Sequence, residues 1–179
     1  VLRMISLNFA GIVTCDPGSI TYDPADGWAN YPKGVMKALQ EKIKISKGID
    51  LLFDGNIPAG SGLSSSAAME VASCLAINGL SGVEMSKKVI ALACQKAENE
   101  FVGVQCGIMD QFASACGKKG YLLYLDCRSL EWQNVPLPEN VVIVIADTSV
   151  RRSLTDSAYN QRRAACEHRG DQTLQRGRE

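Results

Sequence analysis

The sequence contains a single histidine, His168. That scarcity argues against Ser-His and Cys-His nucleophilic catalysis and deprives a zinc site of its usual nitrogen ligands. The seven cysteines, Cys15, Cys74, Cys94, Cys106, Cys116, Cys127 and Cys166, include no C-x-x-C pair. An odd number of scattered thiols reads as reduced, mostly buried cysteine in a cytoplasmic protein rather than a disulfide or zinc framework. Net charge is missing too, since nineteen Lys and Arg balance nineteen Asp and Glu. Nothing global therefore favours nucleic acid or an anionic membrane. Long apolar runs are also absent: stretches such as 141–146 are far shorter than the ~20 residues that span a bilayer. The N-terminus lacks a charged segment followed by a long apolar run. The expected partners are thus small molecules, with no nucleic acid and no membrane.

What is present is an ordinary globular composition. At 179 residues and 46% hydrophobic, the chain can bury a core of one domain, or one plus part of another. LRMISLNF reads as a strand, followed by a connection rich in turn residues from Asp16 to Gly27. A helix is predicted from near Trp28, with Tyr31, Val35, Leu39 and Ile43 along one face and Pro32 in its first turn. IDLLF follows as a buried strand. Further helices are predicted from near Leu63, over Met85–Phe101 and over Ile108–Cys116. GYLLYLD, LEWQNVPL and VVIVIAD read as strands and Thr155–Cys166 as helix, after which EHRGDQTLQRGRE loses the apolar repeat.

The chemistry concentrates in GNIPAGSGLSSSAAME. Gly60 and Gly62 allow positive φ and close backbone approach, the serines supply hydroxyls, and a helix start aims unpaired N–H groups at the loop. Those donors and the helix dipole favour an anion, and several must converge because the dipole alone contributes only about 0.3–1 kcal/mol. A Walker loop is excluded because no lysine follows the glycines, and a dinucleotide fingerprint because Ser65 stands where its third glycine belongs. A phosphate site for ATP also needs a divalent cation with one or two protein oxygen ligands, and Ser66 and Glu98 are the candidates. Asp110, in CGIMDQF, is a candidate to accept a proton from an attacking hydroxyl.

Taken together, GNIPAGSGLSSSAAME, KAENEFVGVQCGIMDQFAS, LDCRSLE and RRAACE, in this order and at these distances, resemble the galactokinases of the GHMP kinase superfamily. The likeness runs from about Leu2 to Glu167 and includes MISLNF and WANYPKGV. It implies an α+β fold, with a GHMP kinase N-terminal, ATP-binding domain over residues 1–117, the beginning of a second α+β domain over 118–167, and an atypical polar tail over 168–179. It further implies Gly60, Ser61, Gly62, Leu63, Ser64, Ser65 and Ser66 around the ATP phosphates, and Ser66 and Glu98 at Mg2+. Asp110 is implied as the base at the sugar's anomeric hydroxyl, Gly107 lies beside the sugar, and Ser6 and Trp28 approach the nucleotide base. The implied reaction converts ATP and α-D-galactose to galactose 1-phosphate and ADP in a monomeric, cytoplasmic enzyme.

Family members also carry a GRVNLIGEHTDY-like segment, a third glycine-rich motif and a later sugar-contacting tyrosine, none of which occurs in these 179 residues. Loss of one charge-stabilising donor typically costs about 10²–10³ in rate, so the isolated polypeptide is expected to be marginally stable and without useful galactokinase activity. An N-acetylgalactosamine kinase, a non-catalytic sugar sensor and a purely structural fragment remain alternatives. The intact Ala67 and Ala68 after the serine run speak against the sensor, whose known fungal relative has a shortened loop there.

Overall fold

The computed structural model describes residues 1–40, 42–43, 47–146, 160 and 164–166. Leu2–Ser6 forms strand β1, whose alternation buries Leu2 and Met4 completely and leaves Arg3 and Ile5 outside. The Ser6 hydroxyl ends the strand by accepting a hydrogen bond from the Asn8 N–H at 3.1 Å. Gly11, at φ +94°, then lets the chain reverse into β2, Ile12–Cys15, which pairs antiparallel with β1 from Leu2↔Cys15 to Ile5↔Ile12. This second strand lies within what the sequence left as the approach to a turn-rich connection.

A parallel neighbour for β1 requires a crossover, and helix α1, Asn30–Leu39, provides it. The chain enters α1 through a 3-10 segment over Pro24–Ala29, so the α-helix starts two residues beyond Trp28. The Asp23 carboxylate accepts from Ala25 N–H, the Asn30 amide donates to the Asp23 carbonyl, and Lys33, 2% exposed, pairs with Asp26. Pro32 sits in the first turn as expected, and Val35, Met36 and Leu39 are wholly buried. Strand β3, Ile49–Phe53, then pairs parallel with β1 from Leu2↔Ile49 to Ser6↔Phe53, giving the sheet order β2-β1-β3.

Two long helices cover the inner face of this sheet together with α1. Helix α2 spans Ser65–Ser81 and α3 spans Lys87–Lys96; their residues Val71, Cys74, Ile77, Ile90 and Cys94 join Leu2, Met4, Val35 and Leu39 in one core. The predicted helix Met85–Phe101 in fact changes pitch at its end, because Ala97–Val102 is a π-helical turn closed by Gly103 at φ +89°. Helix α4, Met109–Cys116, follows. Its Phe112 and Cys116 form a second core cluster with Ala91 and Ile108, against Leu123, Leu125 and Leu130 of an antiparallel hairpin, β4 (Tyr121–Leu125) and β5 (Trp132–Pro136).

The α+β class and the two core strands agree with the sequence reading, while one strand does not. Val141–Ala146 is irregular and joins neither sheet, so its apolar side chains stay exposed, Val142 and Val144 above 80%. Apolar composition alone does not make a strand without a neighbour to complete its backbone hydrogen bonds. Of the helix predicted over Thr155–Cys166, Asn160 and Ala164–Cys166 are helical and the remainder lies outside the described residues, as do Asp147 and the tail over 168–179.

Candidate functional site

The loop between β3 and α2 alternates backbone sign. Gly60 (φ +69°), Gly62 (φ +79°) and Ser64 (φ +57°) have positive φ, and the intervening Ser61 and Leu63 do not. Such alternation turns successive N–H groups toward one concave side and makes an anion-binding nest. The sequence places the helix start near Leu63; it begins at Ser65 because Ser64 takes the left-handed conformation at the N-cap. Among the described residues no side chain caps that end, so the first N–H groups of this 17-residue helix face the loop without an acceptor there. The Ser61 hydroxyl is turned back to donate to the Pro58 carbonyl at 2.7 Å, which braces the loop.

The nest opens on a cavity of about 810 Å³ at the carboxyl ends of β1 and β3. Gly60, Ser65 and Ser66 line it, together with Phe9, Trp28, Tyr31 and Phe53. Trp28 stacks on Phe9 with ring centroids 6.1 Å apart and 14° between planes, and meets Phe53 edge-on at 5.3 Å. Burial pushes the Tyr31 hydroxyl up to about 12, so it stays a neutral hydrogen-bond group. The Asn8 amide donates to the Gly55 carbonyl at 2.8 Å and its oxygen accepts from Gly55 N–H at 3.0 Å, extending the β1–β3 pairing to the cavity rim. Ser6 does not line the cavity; it holds the Asn8 backbone below it. Trp28 does line it, with Phe9 and Phe53, which sequence reasoning missed. The available signal was that both expected strands, LRMISLNF and IDLLF, end in Phe; the parallel register Ser6↔Phe53 brings those ends to one edge.

Behind the nest lies a buried polar cluster. Ser66 (9% exposed), Glu70 (0%), Glu98 (3%) and Gln111 (0%) come from α2, the π turn and α4. The Ser66 hydroxyl hydrogen-bonds to the Glu98 carboxylate, and the half-buried Asp110 is close enough for its charge to act on Glu98. The Gln111 amide nitrogen donates to Glu98 Oε2 at 2.5 Å and to Glu70 Oε2 at 3.2 Å. The Cys106 thiol donates to Glu98 Oε2 at 3.4 Å, and burial pushes that thiol up to about 12, where it is unreactive. The π turn fixes Glu98 at the backbone as well, its carbonyl accepting from the N–H groups of Gly103 at 2.9 Å and Val104 at 3.1 Å. Such turns recur at functional positions.

Burial raises both acids above the ordinary carboxylate range. For Glu70 burial is the largest cause, joined by the Glu98 charge, and the acid is pushed up to about 9. For Glu98 burial is the largest cause, opposed by the hydrogen bonds from Cys106, Ser66 and Gln111. The sequence-predicted Ser66, Glu98 and Asp110 are thus brought together, and Glu70 and Gln111 are additions. Ser66 and Glu70 are one helical turn apart on α2, which was a signal for the first of these. Gly107 is exposed just before α4, with open space where a Cβ would stand. Leu63 and Gly62 are exposed on the loop.

The donor set suits magnesium. Hydroxyl and carboxylate oxygens are hard ligands, and the ion commonly uses one or two carboxylates with water and phosphate. Among the described residues no cluster of three or more His, Cys, Asp and Glu is arranged to hold a metal unaided.

The GHMP kinases N terminal domain model matches residues 30–118, which contain the nest and the acidic cluster. Galactokinase of Fusobacterium nucleatum is 47% identical over 169 residues, 92% of this chain and 43% of the relative. Galactokinase of Clostridium tetani is 45% identical over 168 residues, 93% of this chain and 43% of the relative. The chain is a galactokinase homologue. It spans about 43% of the length of these curated galactokinases. The crystal structure of Lactococcus lactis galactokinase complexed with galactose matches with a TM-score of 0.86 at 31% identity, over 98% of this chain and 46% of that one. Mevalonate kinase of Methanococcus jannaschii shares the fold, with a TM-score of 0.57 at 19% identity over 64% of this chain.

Proposed function

We propose that this chain forms the ATP-binding part of a galactokinase, transferring the γ-phosphoryl group of ATP to the anomeric hydroxyl of α-D-galactose. The observation that carries the reading is the convergence of Ser66, Glu98 and Asp110 at the inner end of the glycine nest. In this reading Gly60 to Ser66 cradle the phosphates, and Phe9, Trp28 and Phe53 enclose the base in the adjoining cavity. Ser6 acts beneath that pocket through Asn8. Ser66 and Glu98 hold Mg2+, which when bound neutralises charge on the phosphate oxygens. Asp110 accepts the proton of the attacking sugar hydroxyl and orients it, with Gly107 leaving room beside the sugar. Residues 1–117 are the nucleotide-binding domain, and 118–167 begin a second domain that completes the cleft. The cellular site proposed is the cytoplasm.

The test exchanges the matching segment of the Fusobacterium nucleatum galactokinase for this chain and measures ADP release. The proposal predicts galactose-dependent turnover yielding galactose 1-phosphate. It further predicts that Asp110→Asn lowers turnover by about 10²–10⁴ while galactose still binds. Turnover that is indifferent to galactose, or undiminished in Asp110→Asn, contradicts it.

A further inference from the structure

Gln111 follows Asp110 directly and is completely buried, whereas Asp110 is half-buried. Its amide nitrogen bridges Glu98 Oε2 and Glu70 Oε2, at 2.5 and 3.2 Å. One side chain of α4 therefore ties the carboxylate of the π turn to the carboxyl of α2. The bond to Glu98 engages a single, defined oxygen, which the Cys106 thiol also engages. A carboxylate with one oxygen held from behind cannot rotate to offer both oxygens to an ion, so the remaining oxygen is presented in a fixed direction. The two orphan atoms of the cluster, Glu70 Oε1 and Gln111 Oε1, are buried without a hydrogen-bond partner among the described residues. Such groups are costly to keep, and their presence argues that the bridge serves a purpose other than stability.

We infer that Gln111 is a positioning residue for the cation that accompanies the nucleotide: its amide locks Glu98 in a one-oxygen pose toward Ser66, and so couples α4, which bears Asp110, to cation binding. This rests on the ATP and magnesium reading above. Partners that orient a metal-binding carboxylate typically change metal affinity about 10–100-fold when removed.

The experiment is calorimetric titration of the chain with ATP, with and without MgCl2, for the unaltered chain, Gln111→Met and Gln111→Asn. Methionine keeps the volume without the donor, and asparagine keeps the donor but withdraws it by one methylene. The inference predicts that Mg2+ tightens ATP binding to the unaltered chain and that both variants lose this enhancement by about tenfold or more. ATP affinity without Mg2+ should stay within about twofold, as expected for a residue that acts only through Glu98. Adding Gln111→Met to a Glu98→Gln chain should change the Mg2+ enhancement no further. Full enhancement in both variants overturns the inference, and so does an equal loss of affinity with and without Mg2+, or unfolding of both variants. No ATP binding by the folded, unaltered chain overturns the ATP reading itself, and this inference with it.

Discussion

Ser64 holds φ 57° and ψ 41°, a left-handed conformation that costs an L-residue roughly 1–2 kcal/mol. Strain of this kind persists where the surrounding structure imposes it, and here the imposed shape is the third upward turn of the nest. Ser64→Gly should therefore be neutral or stabilising by up to about 1 kcal/mol, the relieved strain being partly offset by glycine's greater unfolded entropy. Ser64→Val should cost about 2 kcal/mol or more, because a β-branched residue is a poor occupant of this region. Urea unfolding of the two variants measures both. At this scale the sequence was informative where backbone freedom was needed, at Gly60 and Gly62, and silent where a serine adopts a glycine-like angle. Nothing in the residue type of Ser64 announces that choice.

The elements that carry the acidic cluster depend on the second core. Phe112 is completely buried on α4 and packs edge-on against Trp132 of β5 at 5.1 Å, with 72° between the rings. Its neighbours Asp110 and Gln111 take their direction from the same helix, so Phe112→Ala should destabilise the chain by about 3–5 kcal/mol. Thermal or urea unfolding followed by Trp132 fluorescence reports it. The hairpin itself is held by Asp126, whose carboxylate accepts from the N–H groups of Arg128 at 2.8 Å and Ser129 at 3.3 Å. These bonds hold the acid below its ordinary value of 3.8. A depressed folded value stabilises the fold above the unfolded value and loses that contribution as pH falls through the folded one. As pH falls through 3.8 and on through the lower folded value, the urea midpoint should thus drop less in Asp126→Asn than in the unaltered chain.

Element identity was legible where apolar period and length agreed, as in α1, α2 and α4. It failed at Val141–Ala146, where pairing and not composition decides, and at the end of α3, where the π turn follows from Gly103 and from the backbone hydrogen bonds to Glu98. The sequence therefore singled out Glu98 by its neighbourhood, but not its rigid setting.

Across the described residues, the sheet and the helices meet in one region, and the hairpin packs on α4. The parallel pairing of β1 with β3 sets the cavity at the carboxyl edge of the sheet, the nest joins that cavity to α2, and the π turn and α4 bring Glu98 and Asp110 behind it. The loop sequence located the nest of this arrangement because Gly60 and Gly62 take positive φ there. The aromatic end and the buried Glu70–Gln111 bridge escaped because their residues are far apart in the chain and look like ordinary core or surface when taken singly. Balanced charge leaves association to local groups and not to long-range attraction, so affinity should come from the nest, the aromatic pocket and the cation together.

The most direct measurement is calorimetric titration of the chain with ATP at millimolar protein-free Mg2+, repeated with chelator. The account predicts saturable binding at one site, tightened by Mg2+, and weakened by Gly62→Ala, since Gly62 needs its positive φ although the space beside it is open. Absence of saturable ATP binding by the folded chain, or binding indifferent to both Mg2+ and Gly62→Ala, would contradict it.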